Sequence, residues 1–393
     1  MKKVDVLCRP DHSLMIMNNT DFFKSFGYEV KAYTFNAAYV GSSLKSVVKK
    51  ITEVPKDTDI SNIITIAEHI NRHLVSNGID SGYYFYKFCN LINSFKLKQT
   101  DADLLHIWPM YAYGEWLSNL GKPLLLDCYE ANPYFVDDIY RTEYNRCGIE
   151  YNSTRLFRHE HNFETLNQIG KIVTPSKYVV DSYKDHINPD KFYINPYGLL
   201  GHEFKKVQNQ QSSNKRIFTF VGRVCLEKGI IKLLDVAKKF KNSKQIEFKI
   251  IGPIDQKIKK LLSNFDLPNV NFVGAVPKNK VKEHLSESDF FVMPSLSDAY
   301  CIAVIEALSV GLPAIVTTRT GCCEIIEVNG LGIVIDIESE SALEAAILTM
   351  FNLSDENYLN IQSKIQKYFE SEGQSGYQKR MLDIYNEVVK DAP

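Results

Sequence analysis

The chain has 393 residues, of which 45% are apolar, and its formal net charge at pH 7 is −1. This length is enough for about two or three domains that each bury a core. The near-zero charge excludes a protein held to nucleic acid by its overall charge, and no apolar run reaches the length that crosses a membrane. We therefore predict a globular protein with no nucleic-acid partner.

Short apolar runs alternate with helical segments through the first half of the chain. Strand and helix in alternation predict an α/β domain with a parallel sheet and helices on both faces. Ligands of such sheets bind at the carboxyl ends of the strands. The predicted strands cover residues 3–8, 28–35, 104–108, 123–127, 171–176 and 191–195.

Residues 203–216 are polar and rich in Gln, Ser and Asn, which is typical of a linker between domains. A second alternating unit follows, and residues 377–389 form a last amphipathic helix. We predict a first domain over residues 1–200 and a second over residues 201–375. The strands predicted for the second unit are 217–221, 246–251, 270–273, 289–293, 313–317 and 331–335.

Two carboxylates eight positions apart, Asp298 and Glu306, flank a predicted strand-to-helix junction. Asp298 follows the strand, Glu306 lies in the next helix, and the amides of residues 300–302 fall near the helix start. Such a start can hold a phosphate at the backbone and hydroxyl groups at the carboxylates, which favours a nucleotide sugar. The simpler interpretation is that Asp298 only caps the helix.

Two cations follow the first strand of the second unit. Gly222 permits a sharp exit from the strand, and Arg223 and Lys228 lie on the loop beyond it. Both would lie at the same sheet edge as the acidic pair, where they can neutralise a diphosphate. The alternative is a solvated loop with a surface pair between Glu227 and Lys228, which contributes little.

The motif V-G-R-x-x-x-E-K-G over residues 221–229, followed by D-x7-E-A-L-x-x-G-L-P over residues 298–313, resembles the retaining glycosyltransferases of family 4, also called glycosyl transferases group 1. Residues 273–277, 175–176 and 195–198 resemble further marks of that family. The resemblance implies the GT-B fold, in which two Rossmann-like doubly wound domains face each other across a cleft. It also implies that the closing helix, residues 376–393, packs back on the first domain.

The resemblance implies a role for each site residue. Arg223 and Lys228 would hold the donor diphosphate, and Glu306 would bind the ribose. Asp298 would bind the transferred sugar, and the backbone near Val276 would meet the base. The remaining donor-binding residues it implies are Gly222, Tyr300, Cys301 and Ile302.

The same resemblance implies a reaction class. A sugar would pass with retention from a nucleoside-diphosphate sugar, UDP- or GDP-linked, to a glycan or lipid-linked acceptor without a metal or other cofactor. The product would belong to a surface polysaccharide or lipopolysaccharide. The N-terminal residues 1–5 lack a signal-peptide core, so we expect a cytoplasmic protein, and a lipid-linked acceptor would bring it into peripheral contact with the membrane.

The chain departs from the family pattern at three places. The first acid of the family pair is usually Glu followed by Gly-Phe-Gly, whereas residues 298–301 read Asp-Ala-Tyr-Cys. The first loop usually carries a Gly-Gly pair, which residues 10–13 lack. The family often has a catalytic-site His after the strand 123–127, where this chain offers Asp127 or Glu130. These departures keep a second hypothesis open, a nucleotide-sugar-binding or partner-binding module without turnover.

Three other signals carry less weight. Residues 101–103 spell D-x-D, the metal motif of the other glycosyltransferase fold, but they precede a strand in a chain with a GT-B pattern. Adjacent positions in the His-Glu-His run 159–161 do not share a helix face. The aromatic segment 83–88, with residues 95–98 beyond it, favours core packing over a membrane surface. A dehydrogenase is disfavoured because no G-x-G-x-x-G follows the first strand.

Overall fold

The computed structural model describes residues 1–8, 20–34, 101–107, 121–153, 166–167, 170–198, 215–339 and 341–390. Several predictions made from the sequence concern residues outside these ranges. They include the first loop at 10–13, the aromatic segments 83–88 and 95–98, the run 159–161, and all of the linker except its last two residues. Arg216, which we had assigned to the linker, is the first residue of a strand.

The first sheet has six parallel strands in the order β2-β1-β3-β4-β5-β6. The strand order reverses direction between β1 and β3, which is where open α/β sheets form a ligand crevice. The central strands β3 and β4 are almost fully buried, as expected for a sheet covered on both faces. The strands are β1 (Lys2–Cys8), β2 (Tyr28–Thr34), β3 (Leu104–Ile107), β4 (Leu124–Asp127), β5 (Lys171–Thr174) and β6 (Phe192–Ile194).

The second sheet is also six-stranded and parallel, in the order β12-β11-β10-β7-β8-β9. Its order reverses between β7 and β10, so the loops that leave these two strands lie side by side. The strands are β7 (Arg216–Val221), β8 (Ile246–Ile251), β9 (Val270–Gly274), β10 (Phe290–Met293), β11 (Ala314–Thr317) and β12 (Gly332–Ile335). Two parallel sheets with flanking helices confirm the predicted fold class.

Helices cover both sheets within the described residues. The apolar face predicted at Ile230, Leu233, Leu234 and Ala237 is fully buried on α4. The helices are α1 (Thr20–Ser25), α2 (Pro133–Arg146), α3 (Lys177–Tyr183), α4 (Ile230–Lys239), α5 (Lys259–Leu262), α6 (Lys278–Ser286), α7 (Ile302–Ser309), α8 (Cys323–Asn329), α9 (Ala342–Phe351), α10 (Asp355–Ser371) and α11 (Gly373–Lys390).

We call the first sheet with α1, α2, α3 and α11 the N-lobe, and the second sheet with α4 to α10 the C-lobe. Helix α11 packs on the first sheet although it follows the whole C-lobe. The Tyr28 hydroxyl donates to Asn386 Oδ1 at 2.7 Å, and Tyr385 shares an apolar cluster with Val4 and Val6. The predicted boundary near residue 200 falls between the described ranges and stays a prediction.

Both acids of the D-x-D motif contact Lys3 at the start of the first sheet. Asp101 forms an ion pair with the Lys3 side chain, and the Lys3 backbone N–H donates to Asp103 Oδ2 at 2.7 Å. Among the described residues, no group of three His, Cys, Asp or Glu side chains is placed to hold a metal ion. Within the same part of the chain, no helix combines the length and apolar character needed to cross a membrane.

Candidate functional site

The loops that leave β7 and β10 are joined to each other at the carboxyl edge of the second sheet. The Leu296 N–H donates to the Glu227 carbonyl at 3.0 Å. Gly229 has a φ of 69°, and a Cβ there would overlap the Pro294 carbonyl oxygen. Only glycine satisfies both the backbone angle and the close approach. The backbone therefore fixes the cation-bearing loop against the acid-bearing loop.

The ion pair between Lys228 and Asp298 is the centre of the site. Their side chains are 28% and 14% exposed, so the pair is largely shielded from solvent. Burial alone would lower the pKa of Lys228, but the adjacent Asp298 carboxylate outweighs it, and the pKa is raised. The sequence had suggested a surface pair between Glu227 and Lys228 as the alternative to function. The structure pairs Lys228 with the predicted sugar-binding acid instead.

Hydrogen bonds on three sides hold Asp298 in its loop. Its N–H donates to the Arg319 carbonyl at 2.9 Å, and its own carbonyl accepts from the Gly321 N–H at 2.8 Å. Its carboxylate oxygen Oδ1 accepts from the Tyr300 N–H at 3.2 Å. The Tyr300 amide, which we had expected to face a ligand, is thus engaged by Asp298. The Tyr300 side chain crosses to the N-lobe and donates to the Tyr197 carbonyl at 2.7 Å.

Cys301 is the single non-glycine residue with positive φ in the part of the chain that the structure describes, at 68°. It stands where the family pattern has its second glycine. Its side chain is 6% exposed and gives no capping hydrogen bond to α7. Burial, followed by the nearby Asp298 charge, raises the pKa of its thiol. A residue in this conformation costs about 1–2 kcal/mol relative to glycine.

We therefore expect Cys301→Gly to be more stable than Cys301→Ala by about 1 kcal/mol, the reverse of the usual order of these two residues. Both variants lose the buried thiol, so their difference isolates the backbone conformation. Urea unfolding of the two variants measures it. Equal stability, or a more stable alanine variant, would show that the backbone at residue 301 is not strained.

Arg223 lies on the exit loop of β7 with its side chain 56% exposed. Its guanidinium is 3.7 Å from Glu227 and 3.9 Å from Asp255, which are loose contacts. Glu227 is held more firmly from the N-lobe, since the Tyr144 hydroxyl donates to its Oε1 at 3.0 Å. Burial raises the pKa of the neighbouring Cys225 thiol to about 11. Arg223 can therefore turn its fork toward an anionic ligand without breaking a tight ion pair.

The other predicted donor residues occupy the same edge of the second sheet. Glu306 lies in the second turn of α7 and is partly buried, and Ile302 begins that helix with 38% exposure. Val276 follows β9, and Gly222 directly follows β7, where its N–H donates to the Ile251 carbonyl at 2.9 Å.

The two acids predicted in the N-lobe differ in accessibility. Glu130 is exposed, whereas Asp127 is 3% exposed at the end of β4. His106 lies on the adjacent strand β3 and was not predicted as a site residue. Its Nε2 is 3.5 Å from Asp127 Oδ2. Its Nδ1 bonds the Tyr385 hydroxyl of α11 at 2.9 Å. The only sequence signal for His106 was a histidine inside an otherwise apolar strand.

Comparison with known proteins agrees with this architecture. Residues 202–368 match the model of the family Glycosyl transferases group 1. An uncharacterized glycosyltransferase of Methanocaldococcus jannaschii, MJ1607, is 26% identical over 302 residues, which cover 66% of this chain and 77% of that protein. The amylovoran biosynthesis glycosyltransferase AmsK of Erwinia amylovora is 28% identical over 172 residues, or 41% of this chain and 42% of that protein.

A solved structure extends the likeness to the whole fold. The α,α-trehalose 6-phosphate synthase of Burkholderia multivorans superposes with a TM-score of 0.66 at 11% identity, covering 100% of this chain and 97% of that one. The two sheets and their order thus define a protein of the GT-B fold. The match over residues 202–368 confirms the predicted resemblance to the glycosyl transferases group 1.

Proposed function

We propose that this protein transfers a sugar from a nucleoside-diphosphate sugar to a glycan or lipid-linked acceptor, with retention of configuration and without a metal. The observation that carries the proposal is the placement of Lys228, Arg223 and Asp298 on adjoining loops at the reversal point of the second sheet. Two cations and an acid at such a crevice suit a diphosphate joined to a polyhydroxylated group. Glu306, one helix turn beyond the loop, is assigned to the ribose.

The two cations would accelerate the reaction by stabilising the leaving group. The ammonium of Lys228 has three N–H donors, so it can keep Asp298 and still donate to a phosphate. Arg223 would add a second charge as the bond between the sugar and the phosphate breaks. In this way Asp298 and the diphosphate would share one cation, which fixes the sugar relative to its leaving group.

The proposed reaction balances without a further reactant. The bond from the sugar's anomeric carbon to the diphosphate oxygen breaks, and its electrons leave with the nucleoside diphosphate. The acceptor hydroxyl forms the new bond on the same face, and its proton passes to a phosphate oxygen. Positioning of the two substrates by the lobes would supply much of the rate.

The proposed acceptor and pathway are inferred from the names of the relatives. AmsK is named for the biosynthesis of amylovoran, so we propose a bacterial-type surface polysaccharide or a lipopolysaccharide as the product. The donor would be a UDP- or GDP-sugar. A lipid-linked acceptor would place the protein at the inner face of a membrane, and both this contact and the cytoplasmic location stay predictions.

Nucleotide binding tests the proposal most directly. UDP and GDP, each alone and as sugar conjugates, are added without metal while the unfolding temperature is measured. A ligand at 100 times its dissociation constant adds about 2.7 kcal/mol to the free energy of unfolding. We expect one nucleotide to stabilise the wild type and Arg223→Ala to lose that stabilisation.

Arg141→Ala is the matched control, because its side chain is 54% exposed, close to the 56% of Arg223. Arg141 forms its ion pair with Asp137 within α2 rather than with a residue assigned to the donor. This variant should keep the full shift. Absence of any shift with every nucleotide would reject the donor site and favour a module without nucleotide-sugar binding.

A further inference from the structure

The acid-bearing loop of the C-lobe is bonded to the N-lobe directly before Asp298. Two tyrosines reach Ser297 from different helices. The Tyr140 hydroxyl of α2 donates to the Ser297 carbonyl at 3.1 Å, and the Tyr178 hydroxyl of α3 lies 2.6 Å from Ser297 Oγ. Ser297 is thus held through both its backbone and its side chain by residues that precede it by more than 100 positions.

A third bond fixes the other side of Asp298. The Ser176 hydroxyl, at the N-cap of α3, donates to the Ala299 carbonyl at 2.6 Å. Residues on both sides of the sugar-binding acid are therefore held by N-lobe hydroxyl groups. The backbone of Asp298 itself is bonded within the C-lobe, to Arg319 and Gly321.

These contacts are shielded from water. Tyr140 is 4% exposed, Ser297 is 6% exposed, and Tyr178 is partly buried. Burial raises the pKa of the Tyr178 phenol, so it remains a neutral hydroxyl at physiological pH. One face of α2 packs into the core cluster of the C-lobe through Tyr140 and Val136. A buried hydrogen bond that is lost leaves an unsatisfied partner, so each hydroxyl constrains the loop strongly.

We infer that Tyr140 and Tyr178 are positioning residues for the donor sugar: by holding Ser297 from the N-lobe, they set the position of the Asp298 carboxylate. The inference rests on the proposed function for the identity of the ligand. The N-lobe, which is expected to bind the acceptor, would therefore also help to shape the donor site. The sugar half of the donor would thus depend on Tyr140 and Tyr178 more than the nucleotide half, which is assigned to Arg223 and the loop after β7.

Hydrogen exchange tests the positioning without any ligand. The amides of Asp298 and Tyr300 are both hydrogen-bonded and should exchange slowly in the wild type. In Tyr140→Phe, Tyr178→Phe and their double variant, we expect exchange over residues 297–301 to be about 5-fold faster or more, because one buried hydrogen bond is worth about 1 kcal/mol. Phenylalanine retains the ring packing, so urea unfolding of each variant should remain cooperative.

Ligand affinity separates positioning from a general loss of structure. UDP-glucose and GDP-mannose serve as probes, each compared with its free nucleoside diphosphate. In the double variant we expect the dissociation constant of the nucleotide sugar to rise about 10-fold and that of the nucleotide to change less than 2-fold. Ser297→Ala combined with Tyr178→Phe should raise the dissociation constant of the nucleotide sugar no more than either change alone, because the two side chains share one hydrogen bond.

Tyr193→Phe is the matched control. Its hydroxyl donates to Glu387 Oε1 at 2.6 Å, a tyrosine bond of the N-lobe that does not involve the C-lobe loop. It should leave both exchange at 297–301 and the affinity ratio unchanged. Unaltered exchange in the double variant overturns the inference, and so does faster exchange with no loss of preference for the nucleotide sugar. A wild type that binds neither nucleotide would instead reject the proposed function, while exchange would still decide whether the tyrosines hold the loop.

Discussion

Lys228→Met is expected to slow release of the nucleoside diphosphate from its sugar by about 100-fold or more, the usual effect of removing one group that stabilises developing negative charge. The same change should lower the free energy of unfolding by about 2 kcal/mol, because it leaves the largely buried Asp298 carboxylate without its cation. Donor cleavage and urea unfolding measure the two effects separately.

The double variant Lys228→Met with Asp298→Asn distinguishes the two roles. Asparagine removes the orphaned charge, so most of the lost stability should return while cleavage stays slow. Failure to recover stability would mean that the ion pair is not what the single variant disturbs. Recovery of activity would place the catalytic cation elsewhere.

The pH dependence of stability follows from the raised pKa of Lys228. A lysine whose pKa is raised on folding contributes its stabilisation in full below its unfolded value near 10.5 and loses it only as the pH rises through the higher folded value. The stability difference between the wild type and Lys228→Met should therefore be constant from pH 7 to pH 9 as far as Lys228 is concerned.

Gly321→Ala is expected to reduce donor cleavage by about 100-fold, since a small displacement of a catalytic loop can cost that much. A Cβ at residue 321 would overlap the Ala299 carbonyl oxygen and lie 2.6 Å from Ser176 Oγ. Ala299 directly follows Asp298, so the loop must move or the fold must absorb the overlap. We expect a cost of about 3 kcal/mol in urea unfolding.

Gly330→Ala provides the comparison for this substitution. Gly330 has a φ of 63° at the end of α8, and the nearest atom to an added Cβ is the flexible Lys364 Nζ at 3.0 Å. Its cost should be about 1 kcal/mol, with no change in donor cleavage. If both glycine variants retain full cleavage, the loop around Asp298 is not positioned by its contact with residue 321.

The sheets were predictable because each strand is a short apolar run closed by a glycine, a proline or a polar loop. The ends of β8 match the prediction, and each of the other strands of the second sheet, β7, β9, β10, β11 and β12, differs from it by a single residue. The positions of Arg223, Lys228 and Asp298 at strand ends followed from the same pattern. Local sequence could therefore indicate which side chains reach the carboxyl edge.

Which side chains form contacts with each other could not be predicted in the same way. Lys228 adjoins Glu227 in the chain, but β7 lies beside β10 in the sheet, so Lys228 meets Asp298 instead. Strand order depends on how the whole domain packs, and no local pattern carries it. The tyrosines of α2 and α3 depend further on how the two lobes meet. His106 was missed because a buried histidine in an apolar strand has no periodic signature.

Helix α11 has a consequence for the order in which the molecule is assembled. Its residues Tyr377, Met381 and Tyr385 close the apolar cluster that contains Val4 and Val6, some 370 positions earlier. During synthesis, this face of the first sheet is made long before the helix that covers it. The C-lobe, whose sheet spans residues 216–335, can complete its own sheet in the interval. The N-lobe therefore finishes folding last although it begins first, and in that interval its uncovered apolar face is open to aggregation or to a chaperone.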